Sequence, residues 1–566
     1  MKQSRSLAAA GALLAGALLS ASAIGQATTN PVPASAPAPG WKNRSTQRMD
    51  NWWNDAVFYQ VFVRSFKDSE KGPLANDGVG DFQGLIDRLD YINDGDPNTT
   101  TDLGATAIWL MPVFEGPSYH GYETSDYYAI EKDFGNNEDF KRFMAECKKR
   151  NIRVILDLVL NHTSKSHPWF KNAWDPKDPK HDWFIWANQK PAWKGPWNQE
   201  VWFSPDGHPN TYYYGIFSSY MPDLNYRNPE VTKEMNKVTE FWLKDYGIDG
   251  YRLDAIRHLV EDGQQQENTK ETHEWLHNWH NYYKSVNKDA FTVGEVWTDT
   301  GTVATYVPDQ LDTCFEFDTS FATIDAVNNA DAKRLRDATT KAWAAYPRNQ
   351  FSTFLSNHDQ TRVMTRFGND VTKAKLAAAL LFTQPGIPFM YYGEELGTVG
   401  DKPDENLRTP MQWSADANAG FTAGKPWRPA QSDYTSKNVA AESADPASLL
   451  NWYKKMIRLR QANPALAKGD YAALDASDKS VYAFARSEGD QTIIVIANLS
   501  DKPVQGCRIR AGSGPFTKTG VPKDLLGGAV VNPAAPRVVG KGGLADYVPV
   551  NVLLPRTVYV LDVSSR

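Results

Sequence analysis

The sequence predicts an α/β protein: a (β/α)8 TIM barrel with a subdomain inserted after its third strand and a C-terminal antiparallel β-sandwich domain. Three observations lead there. Eight short, mostly apolar runs alternate with stretches of helical spacing, and that rhythm makes a parallel sheet, which eight strands close into a barrel. The stretch between the third and fourth runs, His162 to about Asn228, is dense in Trp, Pro, Gly and His and longer than a crossover needs. After a last helix, Ser448 to Gln461, the pattern changes to short β-type runs broken by Gly and Pro.

The elements follow in chain order. Met1 to Arg5 carries Lys2 and Arg5, Leu7 to Leu19 is an apolar run of Ala, Leu and Gly, and Ala21-Ser22-Ala23 offers small residues for cleavage. That run is short for a bilayer span, so residues 1–23 read as a cleaved export signal, placing the mature protein in the periplasm or medium. Residues 24–49, rich in Ala, Pro, Ser and Thr, read as a disordered linker. The barrel is expected over 50–162 and 229–470, the inserted subdomain over 163–228, and the C-terminal β domain over 471–566. Asp55 to Phe66 is nearly all apolar and reads as the first strand. Asp81 to Asn93 places Phe82, Leu85, Ile86, Leu89 and Ile92 at helical spacing. Ala105 to Pro112 is the second strand, Glu138 to Arg150 an amphipathic helix with a basic end, and Ile152 to Leu160 the third strand. Strands four to eight are expected at Ile248 to Leu253, Phe291 to Val296, Leu311 to Phe317, Phe351 to Ser356 and Ile387 to Tyr392. The C-terminal runs are Tyr482 to Arg486, Thr492 to Asn498, Cys507 to Arg510 and Val558 to Val563.

Composition excludes some classes of function. A net charge of −6 with no long basic run argues against nucleic acid. Cys147, Cys314 and Cys507 lie far apart, which excludes a disulfide framework and a cysteine zinc site and favours buried free thiols. The 19 Trp, 25 Tyr and 25 Phe exceed what a hint of function needs, since most must be core, yet flat rings beside polar groups also suit sugar faces.

The chemistry centres on Tyr246 to His258, YGIDGYRLDAIRH. Arg252 and Asp254 are two apart, hence on one face of a strand, and a cation beside a carboxylate favours its ionised form. An ionised Asp at a strand end suits covalent attack on a sugar's anomeric carbon; a plain salt bridge under a loop is the alternative. Further polar clusters end other strands: Asp157, Asn161 and His162 on the third, Glu295 on the fifth, and Asn357-His358-Asp359 on the seventh. Strand C-termini of one barrel converge on one mouth.

With these residues in view, the sequence resembles the α-amylase family, glycoside hydrolase family 13. The family's signature regions match DLVLNH, GYRLDAIRH, VGEVW and FLSNHD in order, and MPDLN, Met221 to Asn225, is a fifth match. The resemblance runs from about Trp52 to the C-terminus. It implies Asp254 as nucleophile, Glu295 as general acid/base and Asp359 as transition-state stabiliser. It implies Arg252, His162, His358, His120 and Tyr122 as contacts to the reacting sugar, and Arg257 and His258 complete the substrate-binding set. The physics agrees: a retaining pair needs carboxyls about 5–5.5 Å apart, one ionised and one protonated. Ala255 after the nucleophile resembles α-1,4-acting members, MPDLN resembles a group intermediate between oligo-1,6-glucosidases and neopullulanases, and RTPMQW, Arg408 to Trp413, resembles the oligo-1,6-glucosidase side. The expectation is an α-amylase, a monomer cleaving α-1,4 bonds of starch and maltooligosaccharides, with transglycosylation as a side activity. The rival readings are an exo-acting α-glucosidase or oligo-1,6-glucosidase and, in another class, an inactive sugar-binding protein. Asp77-Gly78-Val79-Gly80-Asp81 resembles a calcium loop of part of the family, implying Asp77, Val79 and Asp81 as Ca2+ ligands, although the family's upstream Asn position is Ala75 here. Asn161 matches a ligand of the family's second calcium site. No organic cofactor is implied, and no membrane contact after signal cleavage.

Overall fold

Eight parallel strands form the central ring: β1 Phe58–Val61, β2 Ala107–Leu110, β3 Arg153–Leu158, β4 Gly250–Leu253, β5 Phe291–Gly294, β6 Thr313–Cys314, β7 Ser352–Thr353 and β8 Ile387–Tyr391. The computed structural model describes residues 51–205, 207 and 210–565, so the expected signal peptide and linker lie outside the described residues. Spatial order is β6-β5-β4-β3-β2-β1-β8-β7. A parallel bridge between Phe315 and Ser352 joins the two ends and closes the barrel. Thr313 Oγ1 and Ser352 Oγ, 3.0 Å apart, tie the same seam.

The period of two along each strand separates two cores. Phe58, Ala107, Trp109, Ile155, Phe291, Val293, Phe315, Ile387 and Phe389 fill the barrel interior. Their neighbours Tyr59, Val61, Ile108, Leu110, Val154, Leu156, Tyr251 and Leu253 face the surrounding helices. Inside, Phe58 stacks on Phe389 with centroids 4.2 Å apart. The alternation then fixes what lies one step further along: Gln60, Asp157 and Arg252 point inward, at the end where the strands exit.

Several expected elements are shorter in the structure. The first apolar run is a strand only over Phe58–Val61 and continues as a helical turn, Val63–Phe66, whose residues stay buried. An apolar run buried on all sides has no period to tell strand from helix. The helix expected at 81–93 is two pieces, Phe82–Ile86 capped by Asp81 and Leu89–Ile92. The sixth strand keeps only Thr313–Cys314 because Phe317 already opens a helix, Phe317–Asn329.

Between β3 and β4 the insertion holds a helix, Pro168–Ala173, and a three-stranded antiparallel sheet of Trp186–Ala187, Tyr212–Tyr214 and Trp202–Phe203. It has its own core of Val201, Trp202, Tyr214 and Ile216. A bridge between His162 and Asp223 ties its end to the top of β3. The C-terminal domain is an eight-stranded antiparallel sheet: β9 Asp470–Ala476, β10 Val481–Glu488, β11 Gln491–Asn498, β12 Ile509–Ala511, β13 Thr519–Asp524, β14 Val538–Val539, β15 Gly543–Tyr547 and β16 Val558–Ser564. Its order is β13-β16-β11-β10-β9-β12-β15-β14. Two buried arginines hold it to the barrel. Arg460 donates to the carbonyls of Phe382, Gln384, Gly386 and Ala467, and Arg486 to those of Thr383 and Gly469. Most of these carbonyls end the helix Val371–Thr383, where the helix dipole favours a cation. The three cysteines are free and buried, as expected.

Candidate active site

Arg252 on β4 is 1% exposed, and three carboxyls gather around it. Its Nη1 donates to Asp157 Oδ1 and Oδ2 at 2.8 and 3.0 Å and to Asp254 Oδ1 at 2.8 Å. Its Nη2 donates to Glu295 Oε2 at 2.7 Å. One planar guanidinium therefore spans Asp254 and Glu295 and fixes their relative placement. Asp157 is fully buried and also accepts from Tyr122 OH at 3.0 Å and Trp109 Nε1 at 3.3 Å. It anchors the arginine, while Asp254 and Glu295 keep 13% and 14% of their side chains open to the mouth.

The local backbone serves the pair. Ala255, directly after Asp254, sits in the left-handed region at φ 45°, which costs a non-glycine residue about 1 kcal/mol or more. In that conformation its N–H donates to Glu295 Oε2 at 3.2 Å. A β-branched residue would fit there far less well than Ala. Gly294, before Glu295, has no room for a side chain: an added Cβ would lie 2.4 Å from Leu311 Cδ1.

The acids are held in different states. Burial pushes the Glu295 carboxyl up to about 7; Arg252 opposes this, and the charges of Asp254 and Asp359 reinforce it. Burial alone would raise Asp359 too, but His358, Arg408 and Arg252 outweigh it and hold that carboxyl well below the usual range. Arg408 Nη2 donates to Asp359 Oδ1 at 2.8 Å, and its Nε donates to the His358 carbonyl at 3.0 Å. His358 Nε2 lies 3.1 Å from Asp359 Oδ2. Burial keeps His358, His162 and His120 below the ordinary histidine value, to about 3 for His120, so all three are neutral hydrogen-bonding groups at pH 7.

The remaining expected contacts divide. Tyr122 lies flat against His358, centroids 5.4 Å apart, and its hydroxyl is 2.5 Å from His358 Nε2. His120 Nδ1 accepts from the Tyr122 N–H at 3.1 Å, which leaves Nε2 as its donor. His162 has both nitrogens engaged by protein, Nε2 with the Tyr122 carbonyl and Nδ1 with Asn161. His258 is buried and likewise occupied: Nδ1 meets the Gln266 carbonyl at 2.8 Å, and Nε2 accepts from Arg257 Nε at 3.0 Å. Arg257 also donates to the Trp297 carbonyl at 2.7 Å. His162, Arg257 and His258 thus support the mouth from behind. Around it, Trp197, Tyr220 and Trp297 are exposed by 47%, 54% and 39%, Trp197 edge-on to His258 and Trp297 stacked on Phe317. Arg408 was placed by the sequence only in a group-specific motif, and Asp157 only in a cluster; the structure gives both a direct part in holding the acids.

The two expected calcium sites fare differently. In the loop after β1, Asp81 accepts from the N–H groups of Gly84 and Ser69, and Asp77 accepts from that of Val79. These carboxylates turn the loop and cap a helix, and among the described residues no group of three or more His, Cys, Asp or Glu side chains is placed to hold a metal ion. Asn161 is different. Its amide faces the His258 carbonyl at 2.7 Å and Asp223 Oδ2 at 3.4 Å. Burial pushes Asp223 well above the carboxylate range, neighbouring Glu261 adds to this, and Glu261 Oε1 is buried with no partner. Because a carbonyl only accepts, His162 Nε2 carries that ring's proton, so a neutral His162 accepts at Nδ1. The Asn161 atom 3.1 Å from Nδ1 is then the donor, its NH2. Turning the amide that way brings its oxygen, the Asp223 carboxylate and the His258 carbonyl together with no hydrogen between them, a donor set that suits a hard cation.

A family model described as the α-amylase catalytic domain matches residues 60–469. The chain is 38% identical over 461 residues to α-amylase 3 of Dictyoglomus thermophilum, covering 79% of this chain and 85% of that protein. It is 34% identical over 533 residues to an oligo-1,6-glucosidase of Parageobacillus thermoglucosidasius, covering 80% and 91%. Among solved structures, the α-amylase from H. orenii superposes with a TM-score of 0.76 at 34% identity, covering 90% of this chain and 100% of that one. The trehalulose synthase MutB in complex with sucrose gives 0.73 at 29% identity, covering 91% and 99%.

Removing the shared cation should be costly. Arg252→Met leaves three carboxyls facing one another, and we expect a loss of about 3–5 kcal/mol of stability at pH 8. The carboxyls' folded pKa values rise without the arginine, so the loss should shrink toward pH 5, where they take up protons. Chemical unfolding at both pH values checks this; an equal loss at both would contradict it.

Proposed function

The chain belongs to the α-amylase family of glycoside hydrolases, and from that premise we propose that it cleaves α-1,4-glucosidic bonds of starch and maltooligosaccharides with retention of configuration. The observation that carries this reading is the guanidinium of Arg252 shared between Asp254 and Glu295. Asp254 Oδ1 is held by Arg252, which leaves Oδ2 free to attack the anomeric carbon. Glu295 Oε2 accepts from Arg252 and from the Ala255 N–H, so its proton rides on Oε1, the oxygen free to protonate the leaving group. In the first step C1 bonds to Asp254 Oδ2 as the glycosidic oxygen departs with the Glu295 proton. In the second, water gives a proton back to Glu295 and takes C1 from Asp254. Asp359, ionised and 31% exposed, faces the ring where positive charge develops. Trp297, two residues beyond the acid, and Trp197 on the insertion offer flat faces to the leaving part of a long chain.

The second reading, an exo-acting or α-1,6-acting glucosidase, draws on the relatives named oligo-1,6-glucosidase. Ala255 and the relatives named α-amylase favour the α-1,4 reading. Transglycosylation is a proposed side activity, and export is proposed from the leader-like residues 1–23. A maltoheptaoside blocked at its non-reducing end separates the readings. We expect it to be cut internally, with activity falling as pH rises through about 7 and Glu295 loses its proton. Glu295→Gln should lower kcat by about 100-fold or more. A blocked substrate that resists while maltose is hydrolysed quickly would establish the exo reading, and unchanged turnover in Glu295→Gln would remove the role given to that residue.

For calcium, we infer that Asn161, Asp223 and the His258 carbonyl would hold the ion, where it would supply charge that pins the insertion to the strand end beside the nucleophile. Chelation with EDTA should lower the melting temperature, Ca2+ should restore it, and Asp223→Asn should abolish the difference. A melting temperature indifferent to chelation would exclude a structural ion there.

A further inference from the structure

We propose that Gln60 is a positioning residue for the reaction: through the contact between its side-chain amide and His358 it fixes the tautomer that presents an N–H to Asp359. This rests on the proposed role of Asp359. Gln60 is the polar residue in the otherwise apolar strand β1, and it is 1% exposed. Strand alternation sends Tyr59 outward, where its hydroxyl meets Glu395 at 2.7 Å, and turns Gln60 into the barrel. There its Nε2 lies 2.8 Å from His358 Nδ1.

An amide nitrogen only donates, so His358 Nδ1 accepts and carries no proton. The neutral ring then bears its proton on Nε2. That nitrogen is 3.1 Å from Asp359 Oδ2 and 2.5 Å from Tyr122 OH. With the proton there, Nε2 donates toward the carboxylate, and the Tyr122 hydroxyl donates to Asp157 at 3.0 Å. In the other tautomer a lone pair on Nε2 would face the Asp359 carboxylate at that short distance, repelling it and turning it from the sugar.

The ring has no other means of making this choice. Trp109 packs edge-on against it at 5.7 Å and Tyr122 face-on at 5.4 Å, which fixes its plane but not its proton. Arg408 contacts the His358 carbonyl rather than the imidazole. Gln60 acts on strand β1 and reaches Asp359 only through His358, so it touches no reacting atom.

The test combines histidine-selective 15N labelling with kinetics. His358 is assigned by loss of its signal in His358→Asn. In the wild type we expect the Nε2-protonated tautomer. Gln60→Leu and Gln60→Met, close in volume, should give a mixture of tautomers, lower kcat by 10-fold or more on a maltooligosaccharide, and leave KM within about 3-fold. Gln60→Glu places an acceptor at Nδ1 and should draw a proton there, giving a doubly protonated ring in the same spectrum. A wild-type ring protonated at Nδ1, or apolar variants that keep kcat within 2-fold while folded, would overturn the assignment to Gln60. If instead Asp359→Asn leaves kcat unchanged, the underlying reading of Asp359 fails independently of the tautomer.

Discussion

A cation buried in a barrel must be repaid by the groups around it, since moving an ion from water into a protein interior costs several kcal/mol. At Arg252 the repayment is asymmetric. Asp157, without access to water, accepts two of its hydrogen bonds, while Asp254 and Glu295 take one each and keep a free oxygen toward the mouth. The arginine thus does two things with one plane of nitrogens. It compensates a charge below the site and sets the spacing of two carboxyls within it, which side chains on separate strands could not hold as rigidly by packing alone.

That spacing has electrostatic consequences. Two carboxyls this close to each other and to Asp359 do not all ionise readily. Asp359 has His358 and Arg408 beside it and stays charged. Glu295 is more deeply desolvated, sees the charges of both other acids, and keeps its proton to about pH 7. One fold thereby supplies a charged and a neutral carboxyl at the same pH, the division of labour that acid–nucleophile chemistry needs. The left-handed Ala255 belongs to this arrangement, since its strained turn aims an N–H at the Glu295 oxygen that is not the proton carrier.

Much of the barrel and of the acidic trio was legible because the evidence is local. Arg252 and Asp254 share a strand face by spacing alone, and the strands carrying Glu295 and His358-Asp359 announce themselves as apolar runs. What was not legible depends on register and distance in sequence. Asp157 becomes the arginine's anchor only because β3 and β4 pair with Asp157 opposite Arg252. Arg408 reaches Asp359 from a loop after the last strand, and Asp223 meets Asn161 across 62 residues. His162 and His258, assigned to sugar by resemblance, have their ring nitrogens taken by protein, which no motif can foretell. Gln60 did leave a signal, a lone amide in an apolar strand, but its partner is 298 residues away. The short sixth and seventh strands show the same principle: their ends are set by the helix and loops that follow, not by their own apolar residues.

The account places chemistry on one atom more than any other, the Asp254 oxygen left free by Arg252. Reaction with a fluoro-substituted α-glucosyl fluoride, followed by proteolysis and mass spectrometry, reads that placement directly. A single hexosyl adduct on the peptide carrying Asp254, mapped to that side chain and lost on prolonged incubation with an acceptor sugar, is the predicted result. A protein that turns the reagent over without any adduct, or carries it on Glu295 or Asp359, would contradict the account.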